Sequence, residues 1–398
     1  MPSLTNKTIL ILSPQSWGNM FVSKHHYAIE LARRGNTIYF LNPPDQVKVA
    51  RTKPIEIKAS GIHPNLYLIE HALSFPYQLK FRAMPVFHWF MKFHIQKILK
   101  EIGNSIDIVW SFDLGNLYPL TYFRNSFKIF HPVDEPLTAQ AINAAAGADI
   151  IFSVTTEILE KYHLFPASKH FINHGVTEGF MVKEIREETG DPVRIGFSGN
   201  LLRNDIDRET LLKIVSENKN CVFEFWGSYT QAQGNIGGVE DQSVKQFIQS
   251  LKSQPHVILH GAIPSSALAS ELKRMDAFLI CYDVQKDQSK GTNYHKIMEY
   301  LATGKVVISN NVTTYKDKPS LVQMIDNRED NHSLPDLFRE IITQLHLYNN
   351  KNEAEKRRDF ALKNTYSKQL EMIDLLINNG AVNKLSFEKN MKTTEENK

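Results

Sequence analysis

The stretch GTNYHKIMEYLATGKVVISNN, Gly291 to Asn311, decides how the chain is read. Lys296 and Glu299 stand three apart and so share one side of a helix. The small residues Ala302-Thr303-Gly304 then turn the chain, and Val306-Val307-Ile308 continues as a strand. A helix that passes through a tight turn into an apolar strand is half of a strand–helix–strand unit. The open question is whether Lys296 and Glu299 are a solvated surface pair or reach into a site.

Outward from that unit, short apolar runs alternate with helix-period segments. Strands are expected at Thr8–Leu12, Thr37–Leu41, Leu66–Ile69, Ile106–Trp110, Phe127–His131, Asp149–Val154 and His170–Asn173. A second series is expected at Val193–Phe197, Cys221–Trp226, His256–His260, Ala277–Cys281, Lys305–Ser309 and Leu321–Ile325. Runs such as TILIL and VVIS are apolar on both faces, which suits parallel strands covered on both sides. The alternation occurs twice, so the expected fold is α/β, with two doubly wound Rossmann-like domains facing a cleft. A length of 398 residues is too great for one ordinary core and agrees with two domains. The charged stretch near 177–192, closing in Gly190-Asp191-Pro192, reads as the linker. The expected division is 1–180, an acceptor-binding domain; 181–350, a nucleotide-sugar domain; 351–380, a helix crossing back to the first domain; and 381–398, a charged tail too poor in apolar groups to fold.

The net charge of +3 is too small for nucleic-acid binding by overall charge. Cys221 and Cys281 each lie inside an apolar run and read as reduced core residues, neither a disulfide nor a metal pair. The first apolar run ends at Ser13-Pro14, which suits a buried strand and not a signal peptide. No apolar stretch is long enough to span a bilayer, and a cytoplasmic location is expected.

Doubly wound sheets bind ligands at the carboxyl ends of their strands, so the loops there carry the candidate residues. The first such loop leads into SPQSWGNMFVSKHHYAIELARRGN. Gly18-Asn19 lets the backbone approach a ligand, and Ser23 is a good N-cap. Lys24, His25 and His26 crowd the first helical turn, where cations oppose the macrodipole; either they serve a ligand or the segment is only a strand-to-helix turn. FHPVDEP offers His131, Asp134 and Glu135 at a strand end. His131 or Asp134 would accept a proton from a substrate hydroxyl, or a carboxylate there caps the next helix. Asp113, in WSFDLGN, has the same two readings. In the second half, IGFSGNLLRND sets Gly196 and Gly199 at a strand end with Arg203 following, which suits a diphosphate. FWGSY and LHGAIP end two more strands with Gly227 and Gly261, and the backbone of Ala262 and Ile263 is placed to read the edge of a base. One such glycine reads as a tight turn; four at the ends of successive strands favour the reading as a ligand cleft.

IGFSGNL, VILHGAIP, MDAFLICY and HKIMEYLATGKVVIS together resemble the nucleotide-binding half of the GT-B glycosyltransferases. SWGNMFVSKHHYAIELARRGNTIYFLNPP and FHPVDEP resemble bacterial members that assemble cell-envelope polysaccharide, teichuronic acid included. The resemblance spans residues 8 to 375 and is most specific from Lys296 to Val307. It implies that Glu299 holds the ribose hydroxyls of a nucleotide-sugar donor and that Lys296 lies near the donor phosphates. A carboxylate accepts two bonds from a diol, and an ammonium suits a diphosphate. Gly199, Arg203, Gly227, Gly261 and Ile263 complete the implied donor site. Many retaining members carry another Glu where this chain has Gly291, so retention or inversion stays open. No Asp-x-Asp metal motif stands where a GT-A enzyme would need one. Transfer without metal or cofactor is therefore expected, with Arg, Lys and helix dipoles offsetting the leaving diphosphate.

Ser74 to Lys100 has five Lys or Arg, no Asp or Glu, and seven aromatics among Phe, Tyr and Trp. That mixture suits an anionic membrane surface, or a helix packed on the first sheet with its basic groups snorkelling outward. The function expected is glycosyl transfer from a nucleoside-diphosphate sugar to a cell-envelope saccharide or lipid-linked acceptor at the inner face of the membrane. Asp134 or His131 would be the base, with Gly18, Asn19, His25, His26 and Asp113 on the acceptor side. Two alternatives share the architecture: a non-catalytic nucleotide-sugar-binding protein and a nucleotide-sugar epimerase.

Overall fold

A computed structural model describes residues 3–18, 21–45, 53–185, 190–231 and 240–379. The chain divides into two units, Met1–Asn173 with Tyr366–Lys398, and His174–Thr365. The division precedes the charged stretch at 177–192, because Val176 already bridges to Thr365 and Phe180 is packed into the second core.

The first unit contains β1 (Thr8–Leu12), β2 (Thr37–Leu41), β3 (Ile55–Ala59), β4 (Leu66–His71), β5 (Ile108–Ser111), β6 (Phe127–Phe130), β7 (Ile150–Ser153) and β8 (Ser168–Phe171). They form one sheet in the order β3-β4-β2-β1-β5-β6-β7-β8. Neighbours are parallel except β3 and β4. β3 is absent from the expected strands: IEIKA buries only Ile55 and alternates polar with apolar groups, as an edge strand does. The strands run outward in both directions from β1 and β5, so the crevice beyond their carboxyl ends is the switch point of this sheet.

Two helices of this unit matter below. Ser23–Arg33 follows β1 directly. Met84–Ile102 buries Phe87, Met91, His94, Ile95, Ile98 and Ile102, the i, i+4, i+7 stripe of a core-facing helix. Its outer face is not purely polar: Val86, Trp89 and Phe93 are exposed, as is Phe81 just before it, beside the exposed Lys92, Lys97 and Lys100. No described helix is long and apolar enough to cross a membrane.

The second unit contains β9 (Val193–Ser198), β10 (Cys221–Trp226), β11 (Val257–Gly261), β12 (Ala277–Ile280), β13 (Val306–Ser309) and β14 (Gln323–Met324). This sheet is parallel throughout, in the order β11-β10-β9-β12-β13-β14, with its switch point between β9 and β12. Every residue of β12 and β13 is buried, as their two-sided apolar character requires. Cys221 and Cys281 are free and buried.

The extension expected at 351–380 is two helices. Lys351–Leu362 belongs to the second unit, where the buried Arg357 donates to the carbonyls of Gly304 at 2.8 Å and Ser320 at 3.2 Å. The helix over 366–379 belongs to the first unit and buries Tyr366, Leu370, Ile373 and Ile377 in its core. The tail expected at 381–398 lies outside the described residues.

Candidate functional site

At the switch point of the second unit, three strand ends carry glycine. Gly199 N donates to Trp226 O at 2.7 Å, and Gly227 N donates to Gly261 O at 2.8 Å. A Cβ on Gly227 would lie 1.9 Å from Gly199 O, and one on Gly199 would lie 2.6 Å from Lys296 Nζ. Backbone excludes any side chain at Gly227, whereas a side chain at Gly199 would displace the Lys296 ammonium. Gly196, by contrast, is inside β9 and faces Phe278 and Met275, so it serves the core.

Lys296 enters this nest from the first turn of the helix His295–Leu301. It is 5% exposed. Its ammonium donates to Ser198 O at 2.6 Å and to the Tyr282 hydroxyl, and it stands 4.8 Å from the Tyr282 ring centre and 5.3 Å from that of Phe197. Burial lowers its pKa to about 7, helped by the Arg203 charge and opposed by Glu299, Asp205 and Asp287. Ser198 is fixed further by Tyr300, whose hydroxyl accepts from Ser198 N at 2.7 Å.

Glu299 lies one turn on and is half-buried. Its carboxylate makes no hydrogen bond or ion pair with any described residue. Burial raises its pKa to about 7 against the pull of Lys296. The surface-pair reading therefore fails: Lys296 is buried and bonded elsewhere, and Glu299 keeps its acceptor oxygens open.

Arg203 follows β9 but is not a free cation. Its Nε donates to both oxygens of the buried Asp205, at 2.8 and 3.1 Å, and its Nη2 pairs with Asp205 as well. Asp287 lies 3.8 Å from the same nitrogen. This fixes the plane of the guanidinium while nearly half of its side chain stays exposed. Asp287 also gathers the loop after β12, accepting from Ser289 N at 3.1 Å, Gly291 N at 3.0 Å and Tyr294 OH at 2.9 Å. Gly291 has φ +63, and a Cβ there would lie 2.8 Å from Asn311 O, so a glutamate at this position would clash with backbone. Gly261 ends β11; beyond it Ala262 is exposed and Ile263 packs partly against the core. Among the described residues, no group of three or more His, Cys, Asp or Glu has the geometry to hold a metal ion.

The first unit gathers a different set. A Cβ on Gly18 would meet nothing within 4 Å, and Asn19 lies outside the described residues. The N-cap of Ser23–Arg33 is Val22, not Ser23, because His25 takes the capping role: its Nδ1 accepts from Val22 N at 3.1 Å. His25 Nε2 then donates to Ser16 O at 3.3 Å, and its ring stacks on Phe21 and Phe40. Burial holds it near 4, so it is neutral. His26 stacks on Tyr366 at 4.8 Å and is likewise lowered to about 4 by burial. Lys24 is 3% exposed and makes no hydrogen bond with a described residue. Burial lowers its pKa to about 8 against the charges of Asp134 and Asp113.

His131 is buried in an aromatic box of Tyr27, Trp110, Phe112 and Phe152, and neither ring nitrogen has a partner in it. Burial lowers it to about 3, so it is neutral and weakly basic. Asp134 is exposed and makes no bond to a described residue. It caps nothing: the next helix, Ala139–Asn143, is capped by Thr138, whose hydroxyl accepts from Ala141 N at 3.2 Å. Glu135 pairs with Lys161 at 3.5 Å. Asp113 is buried and bound to its own loop, accepting from Gly115 N at 2.8 Å and Leu117 N at 2.6 Å.

No family model and no curated protein sequence matches this chain. Solved structures do. Sucrose-phosphate synthase from Thermosynechococcus elongatus aligns over 94% of this chain and 98% of its own, with a TM-score of 0.68 at 12% identity. Anabaena HepE, solved in complex with UDP and glucose, aligns over 94% and 99%, with a TM-score of 0.63 at 11% identity. The lipopolysaccharide outer core galactosyltransferase WaaB, in its apo form, aligns over 95% and 99%, with a TM-score of 0.59 at 12% identity.

The fold is that of the GT-B glycosyltransferases.

Within this GT-B fold, the second unit brings together Gly199, Arg203, Gly227, Gly261, Lys296 and, on the same helix, Glu299. Sequence reasoning missed Tyr282, Asp205 and Asp287, the groups that hold the two cations. Their signal was present but faint: Tyr282 and Asp287 follow β12, one of the two switch-point strands, and Asp205 follows Arg203 by two residues.

Proposed function

We propose that this protein transfers a glycosyl group from a nucleoside-diphosphate sugar to a hydroxyl of a cell-envelope saccharide or lipid-linked acceptor. The observation that carries this reading is the half-buried Glu299 carboxylate, unpartnered among the described residues, one turn from the buried Lys296 over strand ends walled by glycine. The carboxylate suits the diol of a ribose, and the Lys296 ammonium and Arg203 guanidinium suit the diphosphate. With those cations at the leaving group, departure of the nucleoside diphosphate is proposed to need no divalent metal. HepE, solved in complex with UDP and glucose, and WaaB, a galactosyltransferase, share the fold and make such a donor the natural first test.

On the acceptor side, the exposed and uncommitted Asp134 is the proposed base, receiving the proton of the attacking hydroxyl. His131 is the proposed neighbour that orients this loop, since its neutral ring is packed on four aromatic side chains. The face formed by Phe81, Val86, Trp89 and Phe93 with Lys92, Lys97 and Lys100 is proposed to rest on an anionic membrane, placing the enzyme beside a lipid-carried acceptor.

Isothermal titration with UDP, GDP, dTDP and their sugar conjugates tests the donor reading. Binding by at least one, with Glu299→Gln weakening it, is the expected outcome; no binding by any of them refutes it. A chelator that abolishes turnover, with magnesium restoring it, would refute the metal-free step. Cosedimentation with phosphatidylglycerol vesicles should be lost on changing Trp89 and Phe93 to Ser; no sedimentation of the wild type at low salt would rule out the membrane contact.

A further inference from the structure

A groove of about 660 Å³ opens in the first unit between the start of the helix Met84–Ile102, the loops after β5 and the helix Ala139–Asn143. That volume lies within the ~300–1,000 Å³ typical of small-molecule sites. Its lining contains no carboxylate, ammonium or guanidinium. The polar groups are His88, Asn116, Thr121, Gln140 and Asn143, and Tyr122 lies among prolines, Met84 and Ala146 on the apolar side. Two of the polar groups are already oriented by backbone. His88 Nε2 donates to Asn116 O at 2.8 Å, which leaves Nδ1 as an acceptor. Gln140 Nε2 donates to Gly115 O at 2.7 Å, which leaves Oε1 as an acceptor. The loop that supplies those carbonyls is itself held by Asp113 through Gly115 N and Leu117 N. The groove therefore presents preset acceptors, amide and hydroxyl groups that both donate and accept, and flat apolar surface, with no fixed charge.

We infer that this groove binds a neutral saccharide, the sugar portion of the acceptor. The inference rests on the glycosyl-transfer reading for the word acceptor, but not for the binding itself. A polyol matches alternating donors and acceptors, and its C–H faces match Tyr122 and the prolines. A uronate or a phosphate would find no cation in the lining. Pro85 and His88 line the groove while Val86 and Trp89, on the next face of the same helix, are exposed. A saccharide seated here lies beside the aromatic face, as the head of a lipid-carried acceptor would.

The test uses the full chain and saturation-transfer NMR with cellotetraose, lactose, chitotetraose and tetragalacturonate. Asn143→Trp and, separately, Thr121→Trp fill the groove from two exposed positions. At least one neutral oligosaccharide should bind the wild type, and each tryptophan variant should weaken it about tenfold or more, the equivalent of ~1.4 kcal/mol. Undiminished binding in both variants, binding by tetragalacturonate alone, or no binding by any neutral member overturns the inference. A parallel titration with nucleoside diphosphates separates the two readings. Saccharide binding that the variants abolish, without nucleotide binding, keeps the groove and removes glycosyl transfer. Nucleotide binding with saccharide signals indifferent to the variants does the reverse.

Discussion

Lys24 and Lys296 hold the same place in the two units: second residue of a helix that follows a switch-point strand. Both are buried, and burial depresses both, to about 8 and about 7. Their surroundings differ. Lys296 has two oxygen acceptors, the Ser198 carbonyl and the Tyr282 hydroxyl, and a glycine at Gly199 that leaves room for its head group. Lys24 has no hydrogen bond with a described residue and is balanced only through space by Asp134 and Asp113. A buried charge with acceptors in place is satisfied, and one without them carries an unrelieved desolvation cost. The free carboxylates differ in the same way. Glu299 sits half-buried beside its lysine, whereas Asp134 is exposed.

The sharpest break of this comparison is Asp134→Asn. If the first unit carries the chemistry, transfer should slow by ~10²–10⁴-fold while donor affinity stays as it was, and His131→Ala should lower the rate less. A rate close to wild type in Asp134→Asn would move the base elsewhere. Glu299→Gln reports on the other unit alone. It should weaken donor binding by ~1.5–3 kcal/mol, the worth of a hydrogen bond to a charged acceptor, and calorimetry showing unchanged affinity in a folded variant would remove Glu299 from the donor.

The lysines should respond with opposite signs. Lys296→Met leaves the Ser198 carbonyl and the Tyr282 hydroxyl short of a donor and should cost about 1–3 kcal/mol in denaturant unfolding. Lys24→Met removes a buried side chain whose ammonium has no hydrogen bond with a described residue and should be neutral or stabilising. The pH dependence follows from the depressed pKa of Lys24. Between about pH 8 and the ordinary lysine value of 10.5, the unfolded chain binds the extra proton, so wild-type stability gains with rising pH in that window. The advantage of Lys24→Met should be full below pH 8 and shrink above it. A loss of stability in Lys24→Met at pH 7 would show that its partners have been misjudged.

The mildest effect is the pH profile of nucleoside-diphosphate binding. Glu299 must be ionised to accept from a diol, and Lys296 must be protonated to hold a phosphate, and both pKa values lie near 7. Affinity should therefore peak near neutrality and fall by at most about tenfold per pH unit on each side. A flat profile from pH 5 to 9 would uncouple both groups from the ligand.

How much of this was readable in advance follows from local physics. TILIL, CVFEFW and VVIS declare covered strands by composition, and the glycines at 199, 227 and 261 fall where a doubly wound sheet needs bare backbone. Edge strand IEIKA was invisible because a half-polar strand resembles any exposed loop until β4 pairs with it. The Ser23 cap was misread because a serine is a good cap in isolation, but the ring of His25, packed between Phe21 and Phe40, reaches the backbone first.

Residue types and spacing alone thus determined the two α/β sheets, the Lys296–Glu299 turn and the mixed character of residues 74–100. Folding decided which charged groups are spoken for. Arg203 is held by Asp205, Asp113 by its own loop, and Lys296 by Ser198 and Tyr282, while Glu299 and Asp134 are left open. Of these partners, Ser198 and Tyr282 lie 98 and 14 residues from Lys296, and strand order alone brings them together. Periodicity reports what a segment buries, but whether a buried charge has a partner depends on contacts between segments that no local pattern encodes.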